Sequence, residues 1–365
     1  MTQGHPELRA LTSARGLAAW FVVLFHVRLS AADLVGPDVT NVFRHGYLAV
    51  DFFFMLSGFV IWLNYADRLR EGGLAEIPAF LWRRLSRIYP LHLFVLSGAV
   101  AFAIAHVLMG KPLPPRYNFG DLFYHVLLIQ NWGIAEKTME WNVPAWSISC
   151  EFAAYLAFPL LAMSVNWKRW NTALLVALLV AIAALLHLLM RHAGVDSLGA
   201  YISRVGLIRC FCEFAMGTVI CELWSRWRAA PLWPALTGAV TALGAVLWFL
   251  AGGPETFALP IAFAGMLVLL SLTAELRGNP LAHRVVHYMG EISYATYLVH
   301  YLLFVAFKLM FVDESLSIGA GQLAVYIVLT LIASILLYHG VERPAQRWLN
   351  RRMPVRWKPE RRSFV

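Results

Sequence analysis

The chain has 365 residues, of which 60% are apolar and 14% charged, with a formal net charge of +9 and a mean hydropathy of +0.63. Soluble domains carry about 25% charged residues, so this composition excludes an ordinary soluble protein. A transmembrane helix needs about 20 mostly apolar residues, and such stretches follow one another along almost the whole sequence. The sequence therefore predicts an all-α polytopic membrane protein.

The positive charges do not indicate a nucleic-acid-binding protein, because they lie in short loops and a tail between apolar stretches. This distribution is typical of membrane topology, with the lipid bilayer and its anionic headgroups as the partner. The four cysteines lie within apolar stretches without the spacing of a zinc site. They are interpreted as packing residues, and we expect no metal and no permanently bound cofactor.

Ten transmembrane helices are predicted in chain order. They lie at about 12–34, 46–66, 85–109, 145–165, 171–190, 204–224, 232–251, 257–275, 291–312 and 320–341. About two thirds of the 30 Lys and Arg residues fall on the side of the two termini, which predicts that both termini are cytoplasmic. Residues 1–345 are predicted to form one multi-pass domain in the bacterial inner membrane, followed by a basic cytoplasmic tail over 346–365.

Ionisable residues inside apolar helices are costly and therefore candidates for function. Arg15 and His26 are eleven residues apart, so in a helix they share a face within about 20° and are separated by roughly 16 Å along the axis. A phosphate bound by Arg15 could then extend a thioester arm along this face to His26. The alternative is that Arg15 is a topology anchor and His26 a hydrogen-bonded core histidine.

Two acidic residues are predicted to reach the depth of His26. Glu151 lies in the fourth helix, which begins on the outer side in this topology, and a carboxylate beside an imidazole would make it a better general base. We therefore expect His26 and Glu151 to line one cavity, within reach of a hydrogen bond or one water. Asp51 either binds the acceptor or is an acid at a helix N-terminus, where the helix dipole favours it.

A second group of charges lies at the start of the third helix. Arg84 and Arg87 are three residues apart and share a helix face, so they could form a cation pair that binds phosphates. The alternative is a pair of positive-inside anchors whose side chains extend to the headgroups. If they bind the donor, they should lie at the cytoplasmic mouth of the cavity that holds His26. His300, in the middle of the ninth helix, is equally open to a core or a functional interpretation.

Six motifs in one order resemble the membrane acyltransferase family 3 over nearly the whole chain. They are Arg15-(ten residues)-His26, Gly46-Tyr-Leu-Ala-Val-Asp-Phe-Phe-Phe-Met-Leu-Ser-Gly-Phe59, Arg84-Leu-Ser-Arg87-Ile-Tyr-Pro90, Trp146-Ser-Ile-Ser-Cys-Glu151-Phe, Ile292-Ser-Tyr-Ala-Thr-Tyr-Leu-Val-His300 and Glu342-Arg-Pro344. Members of this family acylate lipopolysaccharide, exopolysaccharide, peptidoglycan and macrolide substrates. Many also carry a fused extracytoplasmic domain, and the stretch after the last motif here is a short basic tail.

The resemblance implies roles for particular residues. His26 is the implied catalytic base with Arg15 as its family partner, while Arg84 and Arg87 are implied to bind the phosphates of coenzyme A. Glu151 matches the acid of the Trp-Ser segment, but the family commonly has a second acid after it, where this chain has Phe152. Four further residues within the motifs or at the same depth are predicted to bind substrate: Asp51, Ser57, Trp146 and His300.

The predicted function is therefore transfer of an acyl group, most simply acetyl, from cytoplasmic acyl-coenzyme A to a hydroxyl. The acceptor would be a carbohydrate, an exopolysaccharide, a lipid-linked glycan or a glycosylated small molecule. A transporter or flippase of such a molecule is the main alternative, because buried His and Glu also suit proton coupling. Transporters usually contain internal repeats, and none is evident in this sequence. A structural membrane subunit would leave the aligned ionisable residues unexplained.

Overall fold

The structure is a computed structural model that describes residues 8–110, 112–114, 116–134, 141–276, 278–312 and 317–354. The predicted basic tail thus lies mostly outside the described residues, since only 346–354 of it are described.

The described residues form fourteen α-helices and no β-strand, which confirms the predicted all-α class. The helices are α1 (Arg9–Val27), α2 (Ala32–Arg44), α3 (Ala49–Gly72), α4 (Ile77–Leu108), α5 (Leu122–Leu127), α6 (Ala145–Ser164), α7 (Thr172–His192), α8 (Ile202–Trp227), α9 (Leu232–Leu250), α10 (Glu255–Thr273), α11 (Arg284–Glu291), α12 (Ser293–Phe311), α13 (Ala320–Leu337) and α14 (Arg343–Arg351). A π-helical turn over Tyr338–Glu342 connects α13 to α14.

Nine of the ten predicted transmembrane segments, all except the first, each coincide with one long helix. Eight helical stretches within the described residues are long and apolar enough to cross a membrane, and one of them, Ala32–Leu108, has 77 residues and contains both α3 and α4. Helix α8 has 26 residues, but charged side chains such as Arg209 and Glu213 lower its hydropathy. The chain is therefore a multi-pass membrane protein, while the count of ten spans and the cytoplasmic termini stay predictions.

The first predicted helix, 12–34, is in fact two helices. Helix α1 ends at Val27, and α2 begins at Ala32 after a short turn. Within α2, Gly36 has a φ of 78° and Pro37 follows it, so this helix is kinked. No glycine or proline lies at the break between α1 and α2, which is why the sequence alone joined them.

Helices α3 and α8 pack backbone against backbone through two glycines. A Cβ atom at Gly58 would lie 1.9 Å from the carbonyl oxygen of Phe214, and one at Gly217 would lie 1.9 Å from that of Met55. Small residues that allow such close approach are a main source of helix association within membranes. This contact fixes α3 and α8 relative to each other, and both helices contribute to the cavities described below.

The close packing of α3 and α8 predicts that Gly58→Ala destabilises the fold. The added methyl group cannot fit without separating the two helices, and overpacking typically costs about 1–3 kcal/mol. We expect a lower thermal unfolding midpoint in detergent, measured by tryptophan fluorescence. Gly244→Ala in α9 is the control, because no atom lies within 4 Å of its added Cβ and alanine favours a helix over glycine by about 0.5–1 kcal/mol. Equal midpoints for the two variants would contradict this account of the α3–α8 contact.

Candidate active site

Two neighbouring cavities contain most of the predicted site residues. The cavity that we call the inner cavity has a volume of about 150 Å³ and is lined by Arg15, Ser57, Arg84, Arg87 and Glu151, among others. The cavity that we call the outer cavity has a volume of about 530 Å³ and is lined by His26, Arg28, Arg44, Trp146 and Arg209, among others. Val50 and Tyr297 line both cavities, so the two meet at these side chains.

Arg15 is held in place by the contact between α1 and α11. A Cβ atom at Gly16 would lie 2.6 Å from the backbone nitrogen of Gly290, so the two backbones touch there. The guanidinium donates from Nη2 to the carbonyl oxygen of Gly290 at 3.1 Å and from Nε to Ser293 Oγ at 3.1 Å. Its remaining Nη1 donors are therefore available to an anion in the inner cavity.

Arg84 lies between Tyr65 and Tyr155, of which Tyr155 also lines the inner cavity. Its Nη2 donates to the Tyr65 hydroxyl at 3.1 Å, and its guanidinium carbon lies 5.1 Å from the Tyr65 ring centroid and 6.0 Å from that of Tyr155. The Arg84 Nε is buried without a hydrogen-bond partner among the described residues. This side chain has no carboxylate partner there either, so it is the arginine best prepared to bind an anionic ligand.

Arg87 is paired with an acid that the sequence analysis did not assign. Its Nη1 forms an ion pair with Glu342 Oε1, and the Glu342 side chain is 1% exposed. Glu342 is the last residue of the π-helical turn, a distortion that occurs frequently at functional sites. The signal in the sequence was the Glu342-Arg-Pro344 motif, but nothing in its spacing indicated which arginine it would pair with.

Glu151 is hydrogen-bonded within the inner cavity and not to His26. Its Oε1 accepts from Ser57 Oγ at 2.5 Å and from the Tyr155 hydroxyl at 2.6 Å. The predicted cavity shared by His26 and Glu151 is therefore wrong, because the two side chains line different cavities. Matching depth along two helices did not bring them together, since the rotation of α6 about its axis directs Glu151 toward Ser57 of α3.

His26 lies in the outer cavity beside two aromatic rings of α12. Its ring centroid is 5.2 Å from that of His300 and 4.9 Å from that of Tyr301. The structure gives the His26 ring no hydrogen bond to any described residue. Its nitrogens are therefore free to bind a hydroxyl that enters the outer cavity.

His300 has a defined tautomer. Its Nδ1 lies 3.1 Å from the carbonyl oxygen of Thr296, and because a carbonyl oxygen can only accept, Nδ1 must carry a hydrogen. In a neutral imidazole, Nε2 is then an acceptor, and this atom is buried without a partner among the described residues. The His300 ring thus has an unused acceptor and packs against His26 with ring centroids 5.2 Å apart, without a hydrogen bond between the two rings, in the place beside His26 where the sequence predicted Glu151.

Asp51 lies in a buried ion pair with α8. Its two carboxylate oxygens accept from Nη2 of Arg209 at 2.7 and 2.8 Å, and Oδ1 also accepts from Nε at 3.0 Å. The Arg209 guanidinium also lies over the Trp146 ring at 5.4 Å. Asp51 lies in the first turn of α3, as the dipole interpretation predicts, but its oxygens are occupied by Arg209. Its predicted contact with the acceptor is therefore replaced by a structural role beneath Trp146.

The boundary between the cavities is formed by Tyr297 with Val50. The Tyr297 hydroxyl lies 2.7 Å from Ser147 Oγ, and its ring packs edge-on against Phe53 with centroids 5.7 Å apart. A group in the inner cavity must pass these side chains to reach His26. Tyr297 was not predicted as a site residue, because nothing in the sequence distinguishes it from the other tyrosines of α12.

The predicted positions thus divide into two sets. Arg15, Arg84 and Arg87 share the inner cavity with Ser57 and Glu151, as expected for an anion-binding end. His26 and Trp146 line the outer cavity, with His300 packed against His26. Arg84 and Arg87 were predicted at the mouth of the cavity that holds His26. They instead line a separate cavity that adjoins it.

The described part of the chain is all-helical, has eight helical stretches long and apolar enough to cross a membrane, and places charged side chains in two adjoining cavities. These features define a multi-pass membrane protein with an internal site. The family model of the acyltransferase domain matches residues 8–339, and the chain therefore belongs to the acyltransferase 3 family. It is an acyltransferase.

Several relatives match over most of their length, among them the following two. The chain is 28% identical to the acyltransferase MdmB of Streptomyces mycarofaciens over 97% of this chain and 95% of that protein. It is also 28% identical to the exopolysaccharide production protein ExoZ of Rhizobium meliloti (strain 1021) over 89% of this chain and 95% of that protein. No solved structure gives a significant match to the chain.

Proposed function

We propose that this protein transfers an acyl group, most simply acetyl, from cytoplasmic acyl-coenzyme A to a carbohydrate hydroxyl in the bacterial inner membrane. The observation that carries the proposal is the pair of adjoining cavities, one with three arginines and the other with His26. Such a layout allows a phosphorylated donor and a hydroxyl acceptor to approach one point from opposite sides. Membership of an acyltransferase family sets aside the transporter alternative.

The inner cavity suits the donor. Arg15 and Arg84 present unused N–H groups, and Arg87 adds a charge that Glu342 partly balances. At about 150 Å³ this cavity is smaller than a typical ligand pocket of roughly 300–1,000 Å³. We therefore infer that the narrow thioester arm enters it, while the bulk of the nucleotide stays at its mouth.

The outer cavity suits the acceptor, with His26 as general base. The acceptor hydroxyl would give its proton to His26 while its oxygen attacks the thioester carbonyl at the boundary formed by Val50 and Tyr297. When the tetrahedral intermediate collapses, the carbon–sulfur bond breaks, and the coenzyme A thiolate takes the proton back from His26. An ester and a free thiol are formed, with no net change in protons.

The direct test is turnover by the purified protein in detergent. Radiolabelled acetyl-coenzyme A is mixed with simple glycosides, and both free thiol and labelled ester are measured. The expected result is equal formation of both products, dependent on the acceptor. Thiol release without an acylated product under all conditions would contradict transfer to a carbohydrate hydroxyl.

The contact between the two histidine rings predicts that His300→Ala slows acyl transfer. Loss of the His300 ring removes a side chain that packs against His26 and should let the His26 ring shift, and misplacement of about 1 Å can cost roughly 10²-fold in rate. We expect kcat to fall and the pH–rate profile to shift, while the KM for the donor stays unchanged. Because an amide oxygen can also accept a hydrogen bond, His300→Gln should recover part of the activity.

Glu151→Gln is the matched comparison for His300. Since Glu151 lies in the inner cavity, this change should alter the KM for the donor and leave the shape of the pH–rate profile unchanged. A shifted pH profile in Glu151→Gln together with an unchanged one in His300→Ala would restore Glu151 as the partner of His26.

A further inference from the structure

The charges that line the outer cavity have one sign. Its lining contains the cations Arg28, Arg44 and Arg209 and no Asp or Glu. Arg209 is balanced by Asp51 at 2.7 Å. Arg28 and Arg44 therefore remain as the uncompensated charges of the lining.

Neither of these two arginines forms an ion pair with a described residue. Arg28 donates from Nη1 to the carbonyl oxygen of Phe25, and its guanidinium lies 4.0 Å from the Phe25 ring centroid. Arg44 is exposed at the end of α2. Both also line the groove that continues outward from the cavity, so their free donors face the entry path.

The acids nearby accept hydrogen bonds from neutral groups and form no ion pair with Arg28 or Arg44. Asp33 of that outward groove accepts from Ser317 at 2.7 Å. Glu255 lies behind the cavity wall, where it accepts from Tyr47 at 2.9 Å, Ser197 at 2.9 Å and the Leu198 amide at 2.7 Å. Protein carboxylates therefore do not occupy the guanidinium groups of Arg28 and Arg44.

Placing two arginines together here is unfavourable without a ligand. Burial and then the charge of Arg44 lower the pKa of Arg28, which means that the two cations repel each other. In the predicted topology both also lie on the outer face, where Lys and Arg are disfavoured. An anion that binds between them would relieve the repulsion.

Tyr201, a residue with an unusual backbone conformation, lies at the same entrance. Tyr201 lines the outer cavity, its side chain is 61% exposed, and its φ of 46° places it in the left-handed region. Strained non-glycine residues of this kind cluster at ligand-binding sites. An exposed ring suits the apolar face of a sugar.

We propose that the acceptor is an anionic glycan or glycoside, whose carboxylate or phosphate binds Arg28 and Arg44 while one of its hydroxyls reaches His26. This inference rests on the proposed function for its direction, since it names the substrate class of the same site. Guanidinium groups bind carboxylate and phosphate through charge-assisted hydrogen bonds, which a neutral sugar cannot form as strongly.

The test is equilibrium binding of two matched glycosides without acyl-coenzyme A. The p-nitrophenyl β-glucuronide and the p-nitrophenyl β-glucoside differ in having a carboxylate or a hydroxymethyl group at one carbon. We expect the glucuronide to bind about tenfold more tightly or better, because charge-assisted hydrogen bonds are roughly twice as strong as neutral ones. The preference should shrink with added salt, which screens exposed charges.

Charge reversal at Arg44 and charge removal at Arg28 identify the residues. Arg44→Glu and Arg28→Gln should each remove most of the preference for the glucuronide, whereas Arg191→Glu should keep it. Arg191 is an exposed arginine on the same predicted face that lines neither cavity. Equal binding of the two glycosides, or tighter binding of p-nitrophenyl β-glucosaminide, would overturn the proposal.

Lipid headgroups share the chemistry of the proposed ligand, so the binding is repeated in nanodiscs. Discs of phosphatidylcholine should keep the preference for the glucuronide, and discs of phosphatidylglycerol should keep it as well. Loss of the preference in phosphatidylglycerol alone would assign the arginine pair to a headgroup and overturn the glycan proposal.

Binding and transfer are measured separately, so the two proposals can fail separately. Acylation of both glycosides with equal binding would leave the acyltransfer proposal standing and remove the anionic acceptor. Selective binding of the glucuronide without acylation of any glycoside would leave the anion site standing and contradict transfer to a carbohydrate.

Discussion

Replacement of His26 by alanine is expected to abolish acyl transfer while the protein still folds and binds its donor. Alanine cannot accept the hydroxyl proton, and general-base catalysis typically contributes about 10²–10⁴-fold to the rate. The side chain forms no hydrogen bond to a described residue, so its loss should leave the helix packing unchanged. The measurement is labelled ester formed per minute by purified protein, alongside donor affinity and thermal midpoint.

His192→Ala is the control for this prediction. His192 is an exposed histidine at the end of α7 that lines neither cavity, and its loss should leave the rate near that of the parent protein. Retention of more than about a tenth of the parent rate in a folded His26→Ala protein, against the 10²-fold minimum expected of a general base, would make His26 a packing residue.

Arg84→Ala is expected to weaken donor binding by about 10–100-fold. A hydrogen bond to a charged group contributes about 1.5–3 kcal/mol, and about 1.4 kcal/mol corresponds to a tenfold change in affinity. The unpartnered Arg84 Nε is the donor that we expect to meet a phosphate oxygen. Titration with a non-hydrolysable acyl-coenzyme A analogue measures the dissociation constant, and Arg84→Lys should lose less affinity than Arg84→Ala.

Two further variants make the Arg84 result specific. Arg83→Ala removes a neighbouring arginine that does not line the inner cavity, so it should bind the donor normally. Arg87→Ala is a poorer probe, because it leaves Glu342 buried without its partner, and breaking a buried pair in this way costs about 3–5 kcal/mol of stability. Similar dissociation constants for Arg84→Ala and Arg83→Ala would indicate that Arg84 is a topology anchor and does not bind the donor.

The sequence predicted the helices well because hydrophobic length and charge are local properties. Helix α6 was expected at 145–165 and is found at Ala145–Ser164. The error at the first helix, where 12–34 is divided into α1 and α2, arose because the turn at 28–31 contains no glycine or proline that would indicate a break. The ordered motifs also identified the family, which the match over residues 8–339 confirms.

Relations between helices were predicted less well. Helix periodicity fixes the angle between Arg15 and His26 along α1, but it does not fix how α6 or α12 is rotated against α1. For this reason the sequence paired His26 with Glu151, whereas the structure pairs Glu151 with Ser57 and places His300 beside His26.

The sequence by itself determined that this is a helical membrane acyltransferase with its ionisable residues concentrated in a few helices, because composition and motif order require no knowledge of packing. The tertiary structure decided which charges meet. Helix packing fixes the rotation and separation of neighbouring helices, through close glycine contacts in the case of α3 with α8 and of α1 with α11. Those two quantities determine that Asp51 pairs with Arg209, that Arg87 pairs with Glu342 and that two cavities meet at Tyr297.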